Sequence, residues 1–225
     1  MQYVFYIVLN ATRLGSSFYM FIQLHNDKKG MLTSLLKRQG FHEFEGYSQQ
    51  IPNQIKDLIE LSRKPDIAVM EIGFNAGHSA EIFLNTNRAL TLTSFDLGQH
   101  KYVSVAKGYI DAMYPNRHTL ILGNSTETVP KYIHANPGKT FDLIFIDGGH
   151  DYKISNADLV NCKKLANEDT VVIMDDTVYA DEWTQDWTLG PTKTWVEHVT
   201  RGEISEMHKI DYEKGRGMSW GKYVF

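Results

Sequence analysis

The chain has 225 residues, 42% of them hydrophobic and 22% charged, with a formal net charge of −4. That is length enough for one α/β domain with a full core, and the acidic balance argues against a general nucleic-acid binder, which needs a basic face. Cys162 is the lone cysteine, which excludes an intrachain disulfide, and no Cys/His group has zinc-ligand spacing, so a reducing, cytoplasmic setting is expected.

At the start, residues 3–9 are apolar, but no basic run precedes them and no small-residue cleavage site follows. A membrane span over residues 1–24 would place Asn10, Thr12 and Arg13 near mid-bilayer, where an arginine costs about 2.5–3.5 kcal/mol. No membrane association is therefore expected, and Asn10-Ala-Thr12 is a sequon of the kind chance often supplies. Residues 1–60 read as a helical extension, a cover for the substrate or a homodimer contact, ahead of a ligand-binding domain over residues 61–225. Ile51, Ile55, Leu58 and Ile59 form one stripe of an amphipathic helix before Pro65.

Residues 67–72 are a short, nearly all-apolar run, as a central parallel strand requires. After Gly73 and Gly77, Ala80, Phe83 and Leu84 mark a helix. Residues 90–95 predict a second strand ending at Asp96, followed by a helix through Val103, Ala106, Ile110 and Met113. A short strand over 119–122 leads into Gly123-Asn124-Ser125 and a helix around 129–134. Residues 141–147 are the clearest strand, ending at Asp147. A helix carries Leu159, Cys162 and Ala166, and a fifth strand over 170–174 ends at Asp175-Asp176.

Alternating strands and helices mean βαβ units with right-handed crossovers and a doubly wound parallel sheet. A helix near 195–200 precedes two further strands, 204–212 and 218–225, joined across Glu213-Lys-Gly-Arg-Gly217, so an antiparallel hairpin closes the sheet.

In such a sheet ligands sit beyond the carboxyl ends of the strands. There this chain places Glu71, Asp96, Asn124, Ser125, Asp147, Asp175 and Asp176. The Gly73–Gly77 turn lets backbone approach a ligand, but Asn75 and His78 stand where a dinucleotide fingerprint has glycines, which weakens a nicotinamide reading. Asp96 lies at the distance where an acidic residue meets ribose hydroxyls. Asn124 and Ser125 either reach an adenine edge or cap the next helix. If the fourth and fifth strands are neighbours, Asp147, Asp175 and Asp176 converge, and crowded carboxylates call for a cation. Oxygen ligands suit Mg²⁺, Mn²⁺ or Ca²⁺ rather than zinc, Mg²⁺ or Mn²⁺ being the expected ion. His150, in the loop after Asp147, is a general-base candidate.

The segments MEIGFNAGHSA, SFDLG, GNSTETVP, FDLIFIDGGHDY and VVIMDDT occur in the order and spacing of class I S-adenosylmethionine-dependent methyltransferases. The chain resembles the small-molecule O-methyltransferases of the catechol and macrocin/sugar type from about residue 41 onward. The resemblance implies a seven-stranded, Rossmann-like methyltransferase sheet with S-adenosylmethionine as cofactor. It implies that Glu71, Gly73, Asn75, Gly77 and Ser79 hold the methionine part and Asp96 the ribose. Leu97, Asn124 and Ser125 would flank the adenine, with Asp147 bordering the cofactor. It also implies a divalent metal on Asp147, Asp175 and Asp176, with His150 where catechol enzymes have a catalytic lysine.

The expected activity is metal-dependent methylation of a hydroxyl on a small molecule or glycan, a sugar ahead of a catechol. Val178 to Trp195, with Tyr179, Trp183 and Trp187, is expected as an aromatic lid over that acceptor. The rivals are a metal-independent methyltransferase for a protein or nucleic acid, a nicotinamide-dependent oxidoreductase, and a non-catalytic cofactor-binding module. Against the oxidoreductase, Tyr109 has Met113 four positions on, where a Tyr-x-x-x-Lys pair needs lysine.

Overall fold

A computed structural model describes residues 30–45 and 50–225. The apolar segment over 3–9 and the Asn10 sequon lie outside the described residues. Within them, no helix is long and apolar enough to cross a membrane.

Two helices, α1 (Met31–Arg38) and α2 (Pro52–Leu61), precede the sheet. Pro52 opens α2, where its missing N–H costs nothing. The chain then alternates through β1 (Ala68–Ile72), α3 (His78–Thr86), β2 (Thr91–Asp96), α4 (Tyr102–Met113), β3 (His118–Leu122), α5 (Ser125–Ala135), β4 (Leu143–Ile146), α6 (Tyr152–Cys162) and β5 (Val171–Asp175). Helix α7 (Asp186–Thr200) leads to β6 (Ile204–Glu213) and β7 (Arg216–Tyr223).

The seven strands lie in the order β3-β2-β1-β4-β5-β7-β6. The first five are parallel, and β7 pairs antiparallel with both β5 and β6. This is the expected doubly wound sheet with an antiparallel C-terminal hairpin. The strand order reverses between β1 and β4, and β4 and β5 are neighbours, so the ends carrying Glu71, Asp147 and Asp175 lie side by side.

Alternation along the strands divides the core into two layers. Val69, Leu143, Phe145 and Ile173 face one layer with Phe83 and Ile110, and Leu32, Leu36, Ile55 and Leu58 from the two leading helices pack in that same layer. Met70, Ile144, Ile146, Val172 and Met174 face the other with Val129, Leu159 and Trp195. Burying one such side chain stabilises the fold by roughly 1.5–3 kcal/mol.

The segment after β5 differs from the expected lid. Its second half is helix α7, and Trp195 is fully buried with its indole N–H donated to Glu206 Oε2 at 2.8 Å. An apolar face of a helix on the sheet outweighed the aromatic composition that suggested a loop. Gly190 explains how closely α7 docks: a Cβ there would overlap the carbonyl oxygen of His150.

Candidate active site

The turn from β1 to α3 is shaped by two left-handed glycines and by Asn75, with φ of 101° at Gly73, 49° at Asn75 and 79° at Gly77. Glycine adopts such angles freely, whereas Asn75 does so at some cost. A side chain at Gly73 would overlap the Asp147 carbonyl, so this glycine is what lets the β1 turn lie against the β4 turn. Gly77 stands at the N-terminus of α3, whose first turn holds His78, Ser79 and Glu81.

Glu71 is fully buried. It accepts hydrogen bonds from Ser79 Oγ at 3.0 Å and Ser94 Oγ at 2.6 Å. Loss of water pushes its carboxyl up to about 7, against the two serine hydroxyls, which pull it down. Ser94 Oγ also lies 2.8 Å from His118 Nε2. With the Ser94 proton on Glu71, His118 must carry its hydrogen on Nε2. Its Nδ1 is then a buried acceptor with no hydrogen bond among the described residues. Burial holds His118 neutral, near 4, under the stacked ring of Phe74. Nothing in the sequence pattern marked Ser94 or His118, because the contact joins strands 24 residues apart.

Asp96 is held by backbone. Its Oδ2 accepts the Asn75 N–H and its Oδ1 the Gly98 N–H, each at 2.7 Å. Each oxygen keeps a lone pair for a hydroxyl group. Leu97 beside it is 54% exposed, an apolar surface at the mouth of the edge. Asn124 caps α5, its Oδ1 accepting from Thr126 N–H at 3.1 Å, and Ser125 begins that helix. Gly123 N–H donates to the Asp96 carbonyl at 2.8 Å, joining this third turn to the other two.

The acidic residues beyond β4 and β5 are arranged less uniformly than their spacing suggested. Among the described residues, Asp147, His150 and Asp176 form one group whose ligand atoms lie within 4.8 Å of one another. His150 Nε2 stands 3.0 Å from Asp176 Oδ2, and this bond raises the imidazole above its ordinary value. Asp175 is not in that group: its Oδ1 accepts from Gln54 Nε2 at 2.7 Å, a buried bond that ties α2 to the end of β5. Desolvation and the neighbouring aspartates push both Asp147 and Asp175 upward, while Arg216 pulls them down. Asp176 has φ of 55°, a left-handed backbone that turns its carboxylate out of line with Asp175.

Gln54 and Arg216 are the residues that sequence reasoning missed here. Gln54 lay on the polar flank of a recognised amphipathic helix, and Arg216 lay in a recognised hairpin turn, but neither pattern says what the side chain meets.

Residues 70–177 match a protein family described as a methyltransferase domain. No curated protein matches the sequence. Among solved structures, an O-methyltransferase from Bacillus cereus, in complex with SAH, is 18% identical with a TM-score of 0.65, covering 95% of this chain and 93% of its own. The O-methyltransferase TomG from Streptomyces achromogenes, involved in tomaymycin synthesis and solved with SAM, is 14% identical with a TM-score of 0.68, covering 95% and 100%. A ribosomal-protein methylase from Lactobacillus delbrueckii subsp. bulgaricus is 16% identical with a TM-score of 0.57, covering 81% and 82%. At such identities the likeness is one of fold, and that fold serves acceptors of very different size. The match to a methyltransferase domain runs from β1 to β5, and the seven-stranded, mostly parallel sheet with its antiparallel C-terminal strands is the Rossmann-like methyltransferase fold.

Proposed function

We propose that the chain is a divalent-metal-dependent O-methyltransferase that moves the methyl group of S-adenosylmethionine to a hydroxyl of a small molecule or glycan. The observation that carries this reading is the Asp147–His150–Asp176 group, set against the Gly73 turn at the point where strand order reverses. A methyl donor on the turn and an acceptor at the acidic group would be neighbours.

In this reading Glu71 and Ser79 receive the methionine amino group, with the Gly73–Asn75–Gly77 backbone around it. Asp96 accepts from the ribose hydroxyls, while Leu97, Asn124 and Ser125 border the adenine. The donor set fits a hard divalent ion such as Mg²⁺ or Mn²⁺. Carboxylate oxygens from Asp147 and Asp176 converge, and Asp176 Oδ1 is buried with no hydrogen bond among the described residues. Asp175 would act on the site at one remove, through its charge and its bond to Gln54. A divalent ion bound there supplies Lewis acidity that makes the acceptor hydroxyl easier to deprotonate.

The chain's own residues do the rest. His150, half-exposed and hydrogen-bonded to Asp176, takes the hydroxyl proton on its imidazole, which Asp176 then stabilises as the cation. The two turns fix the acceptor oxygen and the sulfonium carbon in line, and this alignment is the larger part of the rate gain. A sugar hydroxyl is ranked ahead of a catechol as the acceptor, and an imidazole stands where catechol-type enzymes have a lysine. Residues ahead of α1 are assigned as a cover over this edge or a homodimer contact, while α1 and α2 belong to the core, and the setting is assigned as cytoplasmic.

Calorimetry with S-adenosylhomocysteine, followed by a methyl-transfer screen of sugars and phenols with and without EDTA, tests the proposal. Binding in the micromolar range and EDTA-sensitive turnover are expected. No heat at millimolar ligand would remove the cofactor, and full turnover in excess EDTA would remove the metal.

A further inference from the structure

We propose that Arg216 is a resident counter-cation of the acidic group and competes with a divalent ion for Asp176. The inference rests on the metal reading above and adds to it a residue and a direction of effect.

The fold delivers Arg216 to this place by several independent contacts. Strand β7 runs antiparallel to β5 with Asp175 opposite Met218, so two residues earlier the chain passes over the end of β5, beside Asp176 and Thr177. Gly217 permits the approach: a Cβ there would overlap the Thr177 carbonyl oxygen. The hairpin turn itself is held from the other side. Gly215 N–H donates to the Trp183 carbonyl at 2.7 Å, and Trp187 Nε1–H donates to the Gly215 carbonyl at 3.1 Å. Gly215 has φ of 70°, and a side chain there would strike the Trp187 ring. The aromatic residues after β5 thus act as a clamp on the turn that carries Arg216.

At the end of this delivery the Arg216 side chain is 17% exposed and its Nη1 stands 3.6 Å from Asp176 Oδ1. That separation is inside charge attraction and outside hydrogen-bond reach. Arg216 therefore lends its charge to Asp176 without occupying the lone pairs of Oδ1. Asp147, Asp175 and Asp176 bring three negative charges to this corner when ionised. Arg216 is a permanent cation facing them, whereas His150 is charged only when protonated. A divalent ion on Asp147 and Asp176 would stand beside the guanidinium and be repelled by it. By reciprocity, the ion would weaken the hold of Arg216 on Asp176. Arg216 therefore lowers metal affinity.

The test titrates Mn²⁺ alone into the chelator-stripped full chain, comparing wild type with Arg216→Met and Arg216→Lys by calorimetry. Arg216→Met is expected to bind Mn²⁺ on the order of tenfold more tightly. Arg216→Lys, which keeps the charge, should stay within about threefold of wild type, a spread near RT. S-adenosylhomocysteine titrations of all three check that the fold survives. Equal or weaker Mn²⁺ binding by Arg216→Met, with wild type still binding, overturns this inference and leaves the metal reading standing. No Mn²⁺ binding by any of the three, with S-adenosylhomocysteine still bound, overturns both and spares the cofactor assignment.

Discussion

Asp96 and Asp176 both lie at the carboxyl edge of the sheet, one at the end of β2 and the other one residue past β5, and the chain treats them in opposite ways. Asp96 has a backbone N–H on each oxygen, supplied by two neighbouring turns. Asp176 sits in a left-handed backbone, shares one oxygen with a titratable histidine, and leaves the other to an arginine beyond hydrogen-bond reach. The first arrangement is built from main-chain donors fixed by the two turns. The second is built from side-chain charges and responds to whatever cation is present. Under the proposed function, the methyl donor would rest on the rigid backbone cradle and the acceptor at the adjustable one.

The difference can be broken at the acidic half, at the seam, and at the cofactor half. The largest expected effect is at His150. His150→Phe should lower kcat/KM by about 10²–10⁴-fold on any acceptor the screen identifies, with S-adenosylhomocysteine affinity nearly unchanged. The wild-type rate should rise with pH as the imidazole, raised by Asp176, loses its proton, and the variant should lack that limb. A matching loss of cofactor affinity would mean that the two halves do not act separately.

The seam is Gly73, where a side chain would collide with the Asp147 carbonyl. Gly73→Ala also meets an unfavourable φ, so a destabilisation of about 3 kcal/mol is expected, with cofactor binding and turnover both impaired. Urea unfolding measures it. A stable variant with normal cofactor affinity would show that the turns are not in the close contact described.

The smallest effect is expected at Glu71, a carboxylate of the cofactor half that is buried behind side chains. Its folded value, about 7, lies above the ordinary 4.5. Its contribution to stability is therefore complete below about pH 4.5 and is lost as the pH rises through about 7. Glu71→Gln removes that loss, so its melting temperature should exceed that of wild type at pH 8 and not at pH 5. It should also bind S-adenosylhomocysteine more weakly. Equal melting differences at both pH values would refute the buried ionisation.

Much of this edge could be read before any coordinates. Apolar runs ending in Glu71, Asp96, Asp147 and Asp175-Asp176 located the strands, and glycines at 73 and 77 located the close turn. Those signals are local, because a strand and its terminating residue are consecutive in the chain. Gln54, His118 and Arg216 were invisible, since each meets its partner 121, 24 and 40 residues away in sequence. The extent of α7 was misjudged for a related reason: Trp183, Trp187 and Trp195 look alike as letters, and only packing separates the buried Trp195 from the 43% exposed Trp187.

By itself, then, the sequence determined the order of strands and helices, the parallel sheet, the closing hairpin and the set of polar residues at its carboxyl edge. Periodicity and turn chemistry act within a few residues, so these features follow from neighbours in the chain. Only the tertiary structure decided which aspartate pairs with Gln54, which joins His150, and that Arg216 arrives beside them. Those choices depend on strand register and on the close approaches at Gly73, Gly190 and Gly217, where backbone meets backbone across the fold.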